Sequence, residues 1–303
     1  MRPINKRRKL VEQEGHRHAV RRGLRGWLHF ENMLWLEKVF EFILTVSFTK
    51  LKGERNAFDI KIERVKIIFA NLPRAFNNTR ILLITDLHID GIEKLGERII
   101  GIANKLDYDF CILGGDYSFQ SNQDSSLAYS RTRELARQLG EKTRVFGVLG
   151  NHDKYSMAEV LEQCGVEMLL NESVCLEKNG DKIYLTGLDD CHYYGADDIS
   201  LADSGIRDGA FKIMVCHSPE RYREIAKAGY SLHLAGHTHG GQVCLPGGQA
   251  LVTYATVPRR LVKGKWMYRG MTGYTSRGVG TAVVSVRYCC PPEMTIITLS
   301  NGS

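Results

Sequence analysis

The spacing of apolar positions changes along this chain, and the changes divide it. Residues 24–48 place Leu24, Leu28, Trp35, Val39, Phe42 and Ile43 on one side of a helix drawn at 100° per residue. Glu31, Glu37, Lys38 and Glu41 fall on another side, while Trp27, Phe30 and Leu34 blur the division. From Phe58 the pattern becomes strand-like. DIKIERVKIIF alternates apolar with polar, and RILLIT (80–85) is a continuous apolar run suited to a buried strand. EKLGERIIGIANKL then has helical spacing, with Leu95, Ile99, Ile102, Ala103 and Leu106 on one face. FCILGGD predicts a strand, LAYSRTRELARQLG a helix, RVFGVLGNHD a strand and turn, and MAEVLEQC another helix. Alternation of strand and helix with short connections predicts βαβ units.

After residue 166 short strands dominate. VCLEKNGDKIYLTGLDD reads as a hairpin turning at Asn179-Gly180. FKIMVCHSPE, LHLAGHTHGG, TAVVSVRY and MTIITL read as further strands, with ERYREIAKAG as a helix. Neither a repeat nor a low-complexity linker divides this region. The expected organisation is a basic arm with an amphipathic helix over residues 1–56 and a single domain over 57–303.

Charge sharpens that division. Nine of the 41 Lys/Arg and two of the 34 Asp/Glu lie in residues 1–26, which leaves 32 of each sign and a neutral body. The net charge of +7 thus belongs to the arm, and a nucleic-acid-binding surface on the body is not expected. The uncharged stretch 42–49 is far short of the ~20 residues of a spanning helix. A basic arm before such a helix predicts peripheral attachment of residues 1–50 to an anionic membrane surface; packing of the helix on the body is the alternative. Arg7–Arg8 and Arg21–Arg22 lack the apolar core that an export signal needs. The 8 cysteines form no CxxC pair, which excludes a zinc ribbon and fits a reducing compartment.

Five segments end a predicted strand with metal-suited side chains: TDLHID (85–90), GGDY (114–117), GNHDK (150–154), CHSPE (216–220) and GHTHGGQ (236–242). They supply Asp86, His88, Asp116, Asn151, His152, His217, His237 and His239. Any one of them is commonplace, since a lone histidine after a strand is usually a hydrogen-bonded core residue. The set is different, because five of the 10 histidines fall at strand ends beside glycine or acid. Ligand sites in α/β sheets lie at those ends. Carboxylate, imidazole and amide donors without thiolate suit manganese, iron or zinc. Asp116 can bridge two cations through its two oxygens, and two cations about 3.5–4 Å apart clamp the attacking and leaving oxygens of a displacement at phosphorus.

The ordered series DxH, GD, GNHD, H and GHTH resembles the calcineurin-like metallophosphoesterase superfamily over residues 80–242. The resemblance implies a four-layer αββα sandwich of two sheets flanked by helices, with two divalent metal ions, manganese before zinc or iron. It implies that Asp86, His88 and His239 hold one metal and that Asn151, His217 and His237 hold the other, with Asp116 between them. His152 is the implied non-ligand catalytic histidine near the scissile phosphate, and Asp153 is implied to orient it through the other ring nitrogen.

The later segments GHTHGGQV, YTSRGVGT and VRYCCPPEMTIITL resemble bacterial membrane-associated phosphoesterases typified by UDP-2,3-diacylglucosamine pyrophosphatases of the lipid A pathway. That branch implies a lipid-linked substrate and a peripheral place on the cytoplasmic face of the inner membrane. Other phosphodiesters, such as glycerophosphodiesters or cyclic nucleotides, are the alternative substrates. A non-catalytic membrane or nucleic-acid adaptor would leave the converging polar residues without a reason. RRLVKGKWMYRG (259–270) suits either an anionic headgroup or a solvated edge strand. His192 and His233 match no motif and are expected to be structural or exposed.

Overall fold

A computed structural model describes residues 6–14, 49–119, 126–251, 253 and 255–302. The amphipathic helix expected over 24–48 lies outside the described residues. The body is built on two six-stranded sheets. The first contains β1 (Lys61–Ile68), β2 (Arg80–Ile84), β3 (Phe110–Leu113), β4 (Val145–Gly147), β5 (Glu167–Met168) and β12 (Glu293–Ser300), in the order β1-β12-β2-β3-β4-β5. The second contains β6 (Glu172–Lys178), β7 (Asp181–Gly187), β8 (Phe211–Val215), β9 (Leu232–Ala235), β10 (Gly264–Tyr268) and β11 (Met271–Thr275), in the order β10-β11-β9-β8-β7-β6.

Side-chain alternation explains the layering. Ile81 and Leu83 of β2 face the second sheet and meet Ile213, Val215, Leu232 and Leu234 in the central core. Leu82 and Ile84 point the other way, onto helices α3 (Leu95–Ala103), α4 (Ser126–Lys142) and α5 (Tyr155–Glu162). A strand buried on both faces has to be apolar throughout, which is why RILLI does not alternate. The second sheet is covered by α6 (Ile199–Ala202) and α7 (Tyr222–Lys227) through Met214, Tyr222, Ile225 and Trp266. Helices, sheet, sheet and helices make the αββα sandwich. The β6–β7 turn uses Asn179 at φ 49° and Gly180 at φ 83°, the left-handed pair that a tight hairpin needs.

One predicted strand is absent. TAVVSVRY alternates like a strand, but 281–288 form an irregular segment in which Val283 has φ 63°. Part of its backbone is satisfied by a side chain, and the rest by local contacts, Gly53 and a single bridge to Val243, instead of a ladder. Gln242 Nε2 donates to the Ala282 and Val284 carbonyls, and Gln242 Oε1 accepts from the Ala282 amide. The segment between them that read as either headgroup site or edge strand supplies β10, an edge strand.

Among the described residues, two helices precede the sheets. In α2 (Lys50–Phe58), the Gly53 carbonyl accepts from the Arg287 amide and Asn56 Nδ2 donates to the Arg287 carbonyl, so α2 is bound to the body. From the basic arm, α1 (Lys6–Glu14) lies against the loops after β4 and β7. No helix among the described residues is long and apolar enough to cross a membrane.

Candidate metal centre

Strands β2, β3 and β4 run parallel in one sheet, and β7, β8 and β9 run parallel in the other. Their carboxyl ends open at one edge of the sandwich. Asp86 and His88 follow β2, Asp116 follows β3, and Asn151, His152 and Asp153 follow β4. His217 follows β8, and His237 and His239 follow β9. Asp86, His88, Asp116, His237 and His239 all have positive φ, from 38° to 66°. Left-handed backbone in residues other than glycine costs about 1–3 kcal/mol each and clusters at functional sites. Here it turns each chain sharply at the strand end and aims the side chain across the edge. Close approach of the loops requires Gly150, where a Cβ would lie 2.1 Å from Asp116 Oδ1.

The ligand atoms form two buried groups, Asp86–His88–His239 and Asp116–His217–His237. His88 Nε2 is 3.3 Å from His239 Nε2, and His239 Nε2 is 3.5 Å from Asp86 Oδ1. Two donors about 2.1 Å from one ion and about 90–110° apart are separated by about 3.0–3.4 Å, so these spacings suit a shared cation. Asp116 Oδ2 lies 3.1 Å from His217 Nε2 and 3.6 Å from His88 Nε2. A single oxygen therefore faces both groups, because Oδ1 accepts the His152 amide at 2.9 Å. The sequence allowed the charge to be shared between two oxygens; the fold assigns one oxygen to each task.

Orphaned polar atoms fit the same interpretation. Asp86 Oδ2, Asn151 Oδ1 and His237 Nε2 are buried without a hydrogen-bond partner among the described residues. Buried polar groups are rarely left so unless a ligand completes them. The remaining ring nitrogens of two ligands are held: His88 Nδ1 donates to the Ser118 carbonyl at 2.8 Å and His217 Nδ1 to the Gly114 carbonyl at 2.7 Å. Such outer contacts fix the tautomer that leaves Nε2 free for a metal.

Burial dominates the electrostatics of the ligand side chains. It pushes the His88 imidazole down to about 3 and holds His237 and His239 well below the usual histidine range, so all three are neutral ligands. His217 stays well above that range because Asp116 and Asp86 outweigh its burial. Burial, reinforced by repulsion from Asp116, raises Asp86 to about 6. A cation must displace the Asp86 proton below that pH and need not above it. The His217 proton must be displaced throughout this range, so metal affinity is expected to fall as pH drops from 7 to 5, and to fall more steeply below about 6, by up to about a further tenfold per unit for the Asp86 proton. Chelator-competition titrations of apoprotein across that range check it; a flat affinity would contradict the proposed ligand.

Asp153 differs from what the family resemblance implied. It does not touch the His152 ring, whose Nδ1 has no partner among the described residues. Its carboxylate instead accepts the amides of Asp116 and Gly150 on Oδ2 and of Tyr117 and Ser118 on Oδ1. It knits the β3 and β4 loops together, and four N–H donors leave it no room for an imidazole. His152 sits beside the metal groups, its ring 5.0 Å from that of His88.

Several residues at the site were not singled out by the sequence. The fully buried Arg287 donates to the carbonyls of Gly278, Gly280 and His239, holding the GVG loop against Asp86. Gly280 also donates its amide to the Asp86 carbonyl. The only signal for Arg287 was its place in the VRYCCPPE run. The His192 ring lies 4.3 Å from that of His237, tilted by 47°, with Nδ1 3.0 Å from Glu220 Oε2. His233 is buried against Trp266, a structural residue as expected.

The sequence profile described as calcineurin-like phosphoesterase matches residues 79–241. Among curated relatives, the uncharacterized metallophosphoesterase YkoQ of Bacillus subtilis is 26% identical over 80% of this chain and 92% of its own. Phosphodiesterase YaeI of Escherichia coli is 28% identical over 73% of this chain and 82% of its own. A transmembrane protein with metallophosphoesterase domain from Danio rerio is 31% identical over 60% of this chain, which spans 45% of that protein. With the matched region covering both sheets' strand-end ligands, this chain belongs to the calcineurin-like phosphoesterase family and is a metal-dependent phosphohydrolase.

Proposed function

We propose that the substrate is a lipid-linked phosphoric ester or pyrophosphate met at an anionic membrane surface, with a UDP-diacylglucosamine as the lead compound. One observation carries this reading. From Ile225 to Pro292 the chain has no Asp or Glu, although it holds 34 of them in 303 residues. This stretch begins before His237 and His239 and continues through the loops beyond them. Arg259, Arg260, Lys265 and Arg269 are exposed on it, beside the exposed apolar side chains Leu245, Leu251 and Met267. Arg259 donates to the Ala250 carbonyl, which places it beside the residue that precedes Leu251. Bases near an anionic bilayer contribute about 1 kcal/mol each, and the apolar tips add attraction that salt does not screen. The rest of the basic arm extends the same attraction, and a peripheral position on the cytoplasmic face of the inner membrane is part of this proposal.

Chemically, the residues present suit two divalent ions of unspecified identity, which when bound supply Lewis-acid charge to phosphoryl oxygens. The chain itself contributes the rest. Asp116 and Asp153 fix the His152 loop, and the His152 imidazole is placed to donate a proton to a leaving oxygen or to stabilise charge on phosphorus.

The phosphodiesterase name of the E. coli relative supports the runner-up, hydrolysis of a soluble diester. A panel separates the two: UDP-diacylglucosamine in phosphatidylglycerol vesicles, a glycerophosphodiester and a cyclic nucleotide, each with manganese, magnesium or zinc. The lipid substrate is expected to lead in kcat/KM by at least about tenfold, and Arg259→Glu/Arg260→Glu to lower only that activity. Equal or better turnover of a soluble diester would favour the runner-up.

A further inference from the structure

We propose that Arg8, from the N-terminal basic arm, is a positioning residue of the active site: it bridges the loop that carries His152 to the loop that carries His192. A basic arm would ordinarily keep every arginine in water. Yet Arg8 is fully buried, and it is the only buried side chain described in α1.

Its guanidinium is fully engaged. Nε donates to Asp189 Oδ1 at 2.8 Å and Nη2 to the same oxygen at 2.5 Å. Nη1 donates to the Asp153 carbonyl at 2.8 Å, and the planar group lies 3.9 Å from the centroid of the Tyr194 ring. One turn later, Glu12 Oε1 accepts the Tyr155 amide at 2.8 Å, at the start of α5. Both loops reached in this way flank the metal groups. The first contains Asn151 and His152, and its Asp153 ties the amides of Asp116 and Gly150. The second runs from Asp189 through Asp190, whose carboxylate accepts the amides of His192, Tyr193 and Tyr194, to the His192 ring, which lies against His237. A rigid, planar fork directs its donors to a carboxylate on one side and a carbonyl on the other while its face lies on an aromatic ring.

The energetics identify α1 as a detachable clamp. A nine-residue helix is not stable alone in water, and α1 has no apolar face buried on the body. It is held by charge-assisted hydrogen bonds, and these exist only when the helix is docked. Docking of the arm therefore sets the relation of the two loops.

The test uses full-length protein and the soluble ester bis(p-nitrophenyl) phosphate, so that it does not depend on the lipid substrate. Arg8→Ala strands Asp189 as a buried, unpaired charge, and a folding defect there would be uninformative about catalysis. The decisive variant is therefore Arg8→Met/Asp189→Asn, which removes both charges and keeps an oxygen for the Asp190 amide. The expected result is a kcat about 10–100-fold lower, the usual effect of losing an outer contact, with KM and metal content unchanged. Amide hydrogen exchange, which needs no turnover, is expected to quicken in residues 150–155 and 188–194. Arg8→Lys, which keeps the charge but not the fork, is expected to restore only part of kcat. Parental kcat with unchanged exchange in both loops overturns the proposal. So does a loss of kcat explained entirely by loss of metal, which would make Arg8 merely structural.

Discussion

Replacing Asp116 by Asn is expected to lower bound metal from two ions to at most one per chain and to reduce kcat by about 10³-fold or more. The geometry makes either amide orientation fail. Asp116 Oδ1 accepts the His152 amide, and Oδ2 faces His217 and His88. If the Asn oxygen keeps the His152 contact, the NH2 group points at the metals and offers no lone pair. If the oxygen turns to the metals, two N–H donors face each other across 2.9 Å of buried space. The negative charge that opposes two divalent cations is lost in both cases. Metal analysis of the purified variant, with ester hydrolysis measured in parallel, is the check. Two ions bound with near-parental turnover would remove Asp116 from the centre of the site.

His152→Ala is expected to behave differently: kcat falls about 10²–10⁴-fold, the range for a group acting on protons or charge in the transition state, while both metals stay. The main-chain N–H that anchors Asp116 survives the substitution, because the bond comes from the backbone. His239→Ala, in contrast, removes a nitrogen that lies 3.3 Å from its neighbouring ligand, and metal occupancy should fall with activity. Metal-to-protein ratios for the two variants, measured after identical loading, separate the roles. Equal loss of metal from both would show that His152 is a ligand after all.

Much of the site was legible in the chain because its chemistry is local. Each ligand-bearing segment follows an apolar run, and a strand buried on both faces must end where polar residues begin. Asp86, His88, Asp116, Asn151, His217, His237 and His239 could therefore be placed at strand ends from the sequence, and the Asn179-Gly180 turn carried its own signature. The alternation in TAVVSVRY was misleading for a physical reason. Period-two burial arises in any extended segment laid on a core, and the groups that take the place of a neighbouring strand here, the Gln242 side chain 40 residues away and the Gly53 carbonyl, are set only by the fold.

The kind of chemistry is written in the chain: oxygen and imidazole donors at strand ends, a neutral body and a basic arm. The division of labour among those residues comes from the folded arrangement. Asp153 stands next to His152 in the chain, yet its carboxylate reaches amides on two loops and leaves the ring alone, since direction at a strand end is set by backbone dihedrals and not by adjacency. Arg8 stands among residues that read as solvated charge, and its burial depends on Asp189, 181 positions away. A periodicity reports the face an element presents, but a bond between distant loops exists only once the sandwich has brought their ends together.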